Sequence, residues 1–306
     1  MSKKCNWAGV FPAVTTQFDE SGAIDFPATG RMVEGLIADG VHGIVALGTV
    51  GENNSLAPDE KRSVLKSVVA AAAGRVPVVT GVSELTTANA CQYARDAEEI
   101  GADGLMVLPA MVYVPSEEEL DFHFRSVAAA SSLPIMIYNN PAAYRINLSL
   151  DLIKSWSDVP NIVAIKESAE DSRRFTDMFN AFGDRYVIFA GLDDLALEGL
   201  VLGASGWISG LTNVFPQESV ALYEAVRAGD LDRARAIYRW FLPLLHLDAQ
   251  PNLVQCIKLA EQVMGRGSER VRAPRLVLSG TERDEVIAMV ETAAAHRPLS
   301  ASLAAA

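Results

Sequence analysis

The chain has 306 residues, half of them apolar, and a formal net charge of −12. This is enough apolar material for one barrel-sized core or two smaller ones. The acidic balance argues against a nucleic-acid partner, which would be met by a basic patch, but leaves room for a small anionic substrate held by local positive charge. No run is apolar enough to span a bilayer, and Met1-Ser2-Lys3-Lys4 leads into no signal-like stretch, so a cytoplasmic protein with no membrane partner is expected. Cys5, Cys91 and Cys256 are odd in number and far apart, which fits free thiols in a reducing compartment.

Along the chain, short runs rich in Val, Ile and Leu alternate with helix-period segments. Strands are predicted at 9–15, 43–47, 76–81, 104–108, 134–138, 162–166, 187–190 and 206–209. Helices are predicted to start near Phe26, Pro58, Thr87, Ser116, Ser149, Ser172, Leu195 and Gln217. Asp25 ahead of Phe26-Pro27, and Ser116 with Glu119 three residues on, are helix-start signals, the second a capping-box pattern. Strands that alternate with helices imply a parallel sheet, and eight of them close a (β/α)8 TIM barrel. The competing open, doubly wound sheet would want a glycine-rich dinucleotide loop after an early strand, and no convincing one is present. Beyond Gly229 the strand signal stops, and 230–247, 252–264 and 282–295 read as helices. The division expected is therefore a barrel over 1–228 and a C-terminal helical region over 229–306.

In such barrels the active site is built just past the carboxyl ends of the strands. Lys166 closes the sixth predicted strand, Asn161-Ile162-Val163-Ala164-Ile165-Lys166. With an apolar wall behind it, its ammonium form is disfavoured, and a partly neutral amine can attack a carbonyl to form a Schiff base. The plainer reading is a solvated lysine that follows a strand. After the second strand, Gly48-Thr49-Val50-Gly51-Glu52 brackets exposed backbone N–H groups between glycines, a cradle suited to a carboxylate. After the fifth comes Tyr138-Asn139-Asn140-Pro141, whose tyrosine can relay protons. Gly191-Leu192-Asp193-Asp194 follows the seventh strand, and Ser209-Gly210 ends the eighth close to Thr212-Asn213. Lysine, tyrosine and threonine at one end of three different strands would converge on one cavity. That is equipment for Schiff-base chemistry on a 2-oxo acid, and it requires no metal or other cofactor beyond the covalent bond to Lys166. His42, His123, His246 and His296 show no metal-ligand spacing and read as structural.

At these residues the chain resembles the dihydrodipicolinate synthase / N-acetylneuraminate lyase family. Gly48-Thr49-Val50-Gly51-Glu52, Tyr138-Asn139-Asn140-Pro141, Ile165-Lys166-Glu167 and Gly191-Leu192-Asp193-Asp194 match its motifs in order and spacing. The resemblance implies that Lys166 is the Schiff-base lysine, Tyr138 the proton-transfer residue, and Thr49, Val50 and Gly51 the carboxylate site. It implies that Ile208 presents its backbone near the lysine, and that the protein is a homotetramer, a dimer of dimers. Gly191, Tyr113 and Ser209 complete the expected substrate contacts, and Met111, Val112, Ala143 and Tyr144 are expected with Tyr113 and Ser209 at the far end of the substrate.

Departures from the family pattern bear on the reaction. Ala143 stands where the synthases carry a carboxylate-binding arginine, and the nearest arginine is Arg145. Val50 replaces the loop's second threonine, and Tyr113 comes late after Pro109, consistent with a one-residue insertion. A site lacking that arginine and the hydroxyl relay is a poor condenser of pyruvate with aspartate semialdehyde. The opening 6–18 and Leu244-Leu245-His246-Leu247-Asp248 resemble instead a catabolic branch, the deaminase of hydroxyproline breakdown that acts on 1-pyrroline-4-hydroxy-2-carboxylate. The expected reaction is its deamination and dehydration to 2-oxoglutarate semialdehyde and ammonia. The alternatives are a pyruvate-dependent aldolase or a 4-hydroxy-tetrahydrodipicolinate synthase-like enzyme, and a non-catalytic metabolite binder.

Overall fold

The computed structural model describes residues 6–109 and 113–299. Cys5, Met111 and Val112 lie outside the described residues. Eight strands are found among them: β1 (Gly9–Pro12), β2 (Ile44–Ala46), β3 (Val78–Val82), β4 (Gly104–Val107), β5 (Ile135–Asn139), β6 (Ile162–Glu167), β7 (Val187–Ala190) and β8 (Gly206–Ser209). They pair in the order β1-β8-β7-β6-β5-β4-β3-β2, every ladder parallel. The ring closes where β1 meets β2: Ala13 bridges Val45, Val14 N–H donates to the Val45 carbonyl at 2.9 Å, and His42 N–H to the Val10 carbonyl at 2.9 Å. The architecture is the expected TIM barrel. Its strands read as continuous apolar runs because helices cover their outer faces while the barrel fills their inner ones.

The helices begin where local chemistry calls for them. Asp25 accepts from Ala28 N–H ahead of the helix Phe26–Ala38, and Ser116 forms the full capping box with Glu119 ahead of Glu117–Ala130. One short helix, Pro141–Tyr144, is not in the predicted set; it is a single turn capped by the Asn140 side chain on Ala143 N–H. The first strand is shorter than predicted, since past Pro12 the chain leaves the ladder apart from the single bridge at Ala13.

After Gly229 the elements are the helices Leu231–Leu245, Leu253–Val263 and Gly280–Ala295, with a 3₁₀ turn, His246–Ala249, between the first two. They do not merely coat the barrel. Lys258 is fully buried against Glu52 of the loop after β2, and Asp248 reaches the barrel mouth. No helix among the described residues is long and apolar enough to cross a membrane.

Candidate active site

β5 and β6 run in a register that sets Tyr138 beside Lys166 and Asn139 beside Glu167. The second pair locks the first. Asn139 donates to Glu167 at 2.8 Å, Arg174 clamps the other Glu167 oxygen at 2.6 Å, and Asn139 receives Leu148 N–H at 2.9 Å. Glu167 is thus consumed in fixing the strand ends, while the residue before it on the alternate face points into the barrel. Lys166 is 7% exposed, and its Nζ lies 4.0 Å from the centre of the Tyr138 ring. No carboxylate is within ion-pair reach of Nζ among the described residues. Burial pushes the amine below the ordinary lysine range, against the opposing pull of Tyr144, Asp248 and Asp193. The shift is toward the neutral, nucleophilic form.

Lys166 lines a small cavity of about 50 Å³, together with Thr49, Val50, Tyr138, Gly191, Ile208 and Asp248. Gly191 is required by space: a Cβ there would stand 2.1 Å from Ser168 Oγ and 2.8 Å from Lys166 Cγ. On the opposite wall, the backbone N–H groups of Thr49, Val50 and Gly51 meet no acceptor among the described residues, although the turn is closed by Glu52 N–H on the Thr49 carbonyl at 3.0 Å. Three consecutive free N–H groups make a carboxylate site. The Lys258–Glu52 pair at 2.9 Å and the Glu52–Arg272 N–H bond at 3.0 Å tie the end of this loop down.

Hydroxyl groups gather beside the lysine. Tyr138 accepts from Asn140 at 3.0 Å, and burial raises its phenol above the usual range. Tyr144 packs edge-on to the Tyr138 ring, centroids 5.6 Å apart, and shares a 2.5 Å hydrogen bond with Thr49. This corrects the expectation of a missing hydroxyl relay: the short helix Pro141–Tyr144 supplies a tyrosine from within the same chain. Tyr144 was expected at the far end of the substrate; it stands instead at the threonine.

Two expected substrate contacts, Tyr113 and Ser209, fall elsewhere. Tyr113 is 60% exposed, its hydroxyl donates to Glu119, and it faces a surface cleft with His123 and Phe122. Ser209 follows Ile208 on a strand, so only one of the two can face the cavity. Ile208 does; Ser209 donates to Asp193 at 3.0 Å behind it. Gly51 holds the turn, its carbonyl accepting from Thr16 at 2.7 Å, and contributes its backbone alone. Arg145 is exposed and does not line the cavity. Asp248, reached through the 3₁₀ turn, was not among the expected site residues; the string Leu244-Leu245-His246-Leu247-Asp248 was noticed only as a likeness. Asp193 lies beneath the lysine, takes hydrogen bonds from Trp207, Ser209 and Leu211 N–H, and is pushed by burial up to about 6.

A family model described as the dihydrodipicolinate synthetase family matches residues 6–293. The chain belongs to that family. It is accordingly an enzyme, a Schiff-base lysine lyase that handles small acids. Its similarity extends end to end. The 4-hydroxy-tetrahydrodipicolinate synthase of Sorangium cellulosum is 36% identical over 296 residues, spanning 96% of this chain and 98% of that one. The enzyme of that name from Phenylobacterium zucineum is 35% identical over 291 residues, 93% and 97% of the two chains. Dihydrodipicolinate synthase from Aquifex aeolicus superposes with a TM-score of 0.90 at 31% identity, covering 94% of this chain and 98% of that one. A family member from a prophage of E. coli K12, solved in complex with pyruvate, gives 0.90 at 28% identity, covering 95% and 99%.

Proposed function

We propose that this enzyme deaminates and dehydrates 1-pyrroline-4-hydroxy-2-carboxylate to 2-oxoglutarate semialdehyde. The observation that carries the reading is a cavity lining without arginine among the described residues. A synthase must admit a second anion, aspartate semialdehyde, after pyruvate has bound. Here Ala143 and Asp248 line the cavity, and no arginine does among the described residues. A wall with no guanidinium gives a second carboxylate nothing to pair with, whereas a single small acid whose far end is a hydroxyl and an amine needs no such partner.

In this reading the substrate carboxylate rests on the free N–H groups of residues 49–51. Lys166 attacks the ring carbon of the C=N bond, the ring C–N bond breaks, and the iminium to Lys166 becomes the electron sink, so no added cofactor is needed. Tyr138, backed by Thr49 and Tyr144, gives its proton to the ring nitrogen as the C–N bond breaks and, as phenolate, takes the proton from the third carbon. Loss of the hydroxyl from the fourth carbon leaves a double bond between the third and fourth carbons. A proton shift from the fifth carbon to the third, and from the amine to the fourth, turns the amine into an imine. Hydrolysis of this imine and of the one to Lys166 releases ammonia and the semialdehyde. The enzyme acts as a cytoplasmic homotetramer, a dimer of dimers. Exposed Leu85, Val114 and Phe122 support association, and the unpaired thiols of Cys91 and Cys256 suit a reducing compartment.

The names of the relatives favour a second reading, 4-hydroxy-tetrahydrodipicolinate synthase, in which Tyr144 serves the relay and the second acid binds without an arginine. Purified protein given each substrate set decides between them. The proposal expects ammonia from the hydroxypyrroline carboxylate and slow or no condensation of pyruvate with aspartate semialdehyde. Rapid condensation with no ammonia overturns it.

A further inference from the structure

The carboxyl group of half-buried Asp248 differs from the buried acids around the barrel mouth. Glu167 is tied to Asn139 and Arg174, Glu52 to Lys258, and Asp193 to three donors. Asp248 makes no hydrogen bond and no ion pair among the described residues, yet it lines the same cavity as Lys166. Its place is built. The turn His246–Ala249 is pinned by His246 Nδ1 against Asp194 at 2.9 Å, and Leu247 is buried beside it. The carboxyl enters over Gly210, where a Cβ would stand 2.4 Å from Oδ1. Carboxylate cradle, amine and carboxyl group are thus three separate points around one small cavity.

We propose that Asp248 is the acid that delivers a proton to the leaving oxygen on the substrate's fourth carbon, making the site selective for 2-oxo or imino acids hydroxylated there. The assignment deepens the deaminase reading and rests on it. Burial, then the neighbouring Asp193, holds the Asp248 carboxyl well above the usual carboxylate range, with Lys166 pulling the other way and Asp194 adding to the rise. The shift is toward the protonated form that the step uses. The step balances. Once Tyr138 has removed a proton from the third carbon, the enamine electron pair forms the bond between the third and fourth carbons. The C–O bond breaks, the Asp248 proton leaves with the oxygen as water, and Asp248 remains as carboxylate until it is reprotonated from solvent. A synthase or aldolase has no leaving hydroxide at this point and no use for the acid.

The test uses full-length Asp248→Asn, which keeps the shape and loses the proton, with Asp248→Ser measured beside it. Borohydride trapping of pyruvate on Lys166 reports fold and amine. Loss of water from open-chain 4-hydroxy-2-oxopentanoate, followed by mass spectrometry, reports the acid alone. Ammonia from the cyclic substrate reports the deaminase reading. The expected result is trapping within about threefold of wild type and dehydration slowed about 10²–10⁴-fold, the usual worth of a positioned proton donor. Dehydration that depends on Asp248 without any ammonia sinks the deaminase reading and leaves the acid standing. Equal dehydration by wild type and variants overturns the acid. So does trapping lost in parallel with dehydration, pyruvate released in place of water, or a wild type that dehydrates neither substrate.

Discussion

Lys166 and Lys258 are both buried in this barrel, and burial depresses the ammonium form of each, yet their surroundings differ in kind. Lys258 donates to Glu52 at 2.9 Å and to the Thr16 carbonyl at 2.8 Å, over the ring of Phe18. Every demand of a buried charge is met there. Lys166 has only the face of Tyr138 and the open cavity. The same side chain is a strut in one place and a nucleophile in the other, and what separates them is whether the protein supplies a partner or leaves one to be supplied by substrate.

Removing each amine should therefore act in opposite directions. Lys166→Met abolishes borohydride trapping and lowers turnover by at least about 10⁴-fold, since the covalent route is gone. The same change raises stability. Between the depressed value of the native lysine and its ordinary 10.5, the unfolded chain binds a proton that the folded chain does not, so stability climbs with pH across that window and is held down below it. Methionine removes this cost. Denaturant midpoints should be higher for the variant at neutral pH, and the difference should shrink towards pH 10. A variant less stable than wild type at pH 7 would mean that Lys166 is charged and paired in the folded protein.

Lys258→Met is expected to do the reverse. It takes from buried Glu52 its nearest cation, leaving the Arg272 N–H at 3.0 Å and Arg275 at 3.9 Å, a loss of up to about 3–5 kcal/mol by the usual cost of breaking a buried ion pair. The loop carrying Thr49 and Gly51 then loosens, so KM for the acid rises more than kcat falls. Replacing Glu52 by Leu as well should recover much of the stability, because two apolar side chains ask for no partner. An undiminished denaturant midpoint in the single variant would put the pair outside the strut role.

How much of this could be read from the chain follows from how local each signal is. The barrel was legible because each strand is a short apolar run and each helix has its own start, as at Asp25 and Ser116. Lys166 and Tyr138 were legible because a strand's last residue sits at the barrel mouth wherever the strand goes. Asp248 was not, because it belongs to a turn between two outer helices, and only their packing on the turn at Asp193 and Asp194 brings it to the cavity. Ser209 was misplaced because strand period, read one residue off, exchanges inside for outside. Tyr113 was misplaced because its hydroxyl finds Glu119 at the surface, a partner six residues on that the strand pattern does not reveal.

Tyr144 tests the finest part of the contrast between satisfied and open groups. Its hydroxyl is shared with Thr49 at 2.5 Å, and burial lifts its phenol above the usual range, so it stays neutral and passes a proton without holding charge. Tyr144→Phe keeps the ring against Tyr138 and deletes one link. If proton transfer runs from Tyr138 through this pair, kcat falls about tenfold, toward the lower end of acid–base contributions, while pyruvate trapping on Lys166 is unchanged. Thr49→Val cuts the same bond from the other side, and the two changes together should cost little more than either alone, since both remove one hydrogen bond. Fully additive losses would show instead that the two hydroxyls act separately, Thr49 on the substrate carboxylate and Tyr144 on the ring of Tyr138.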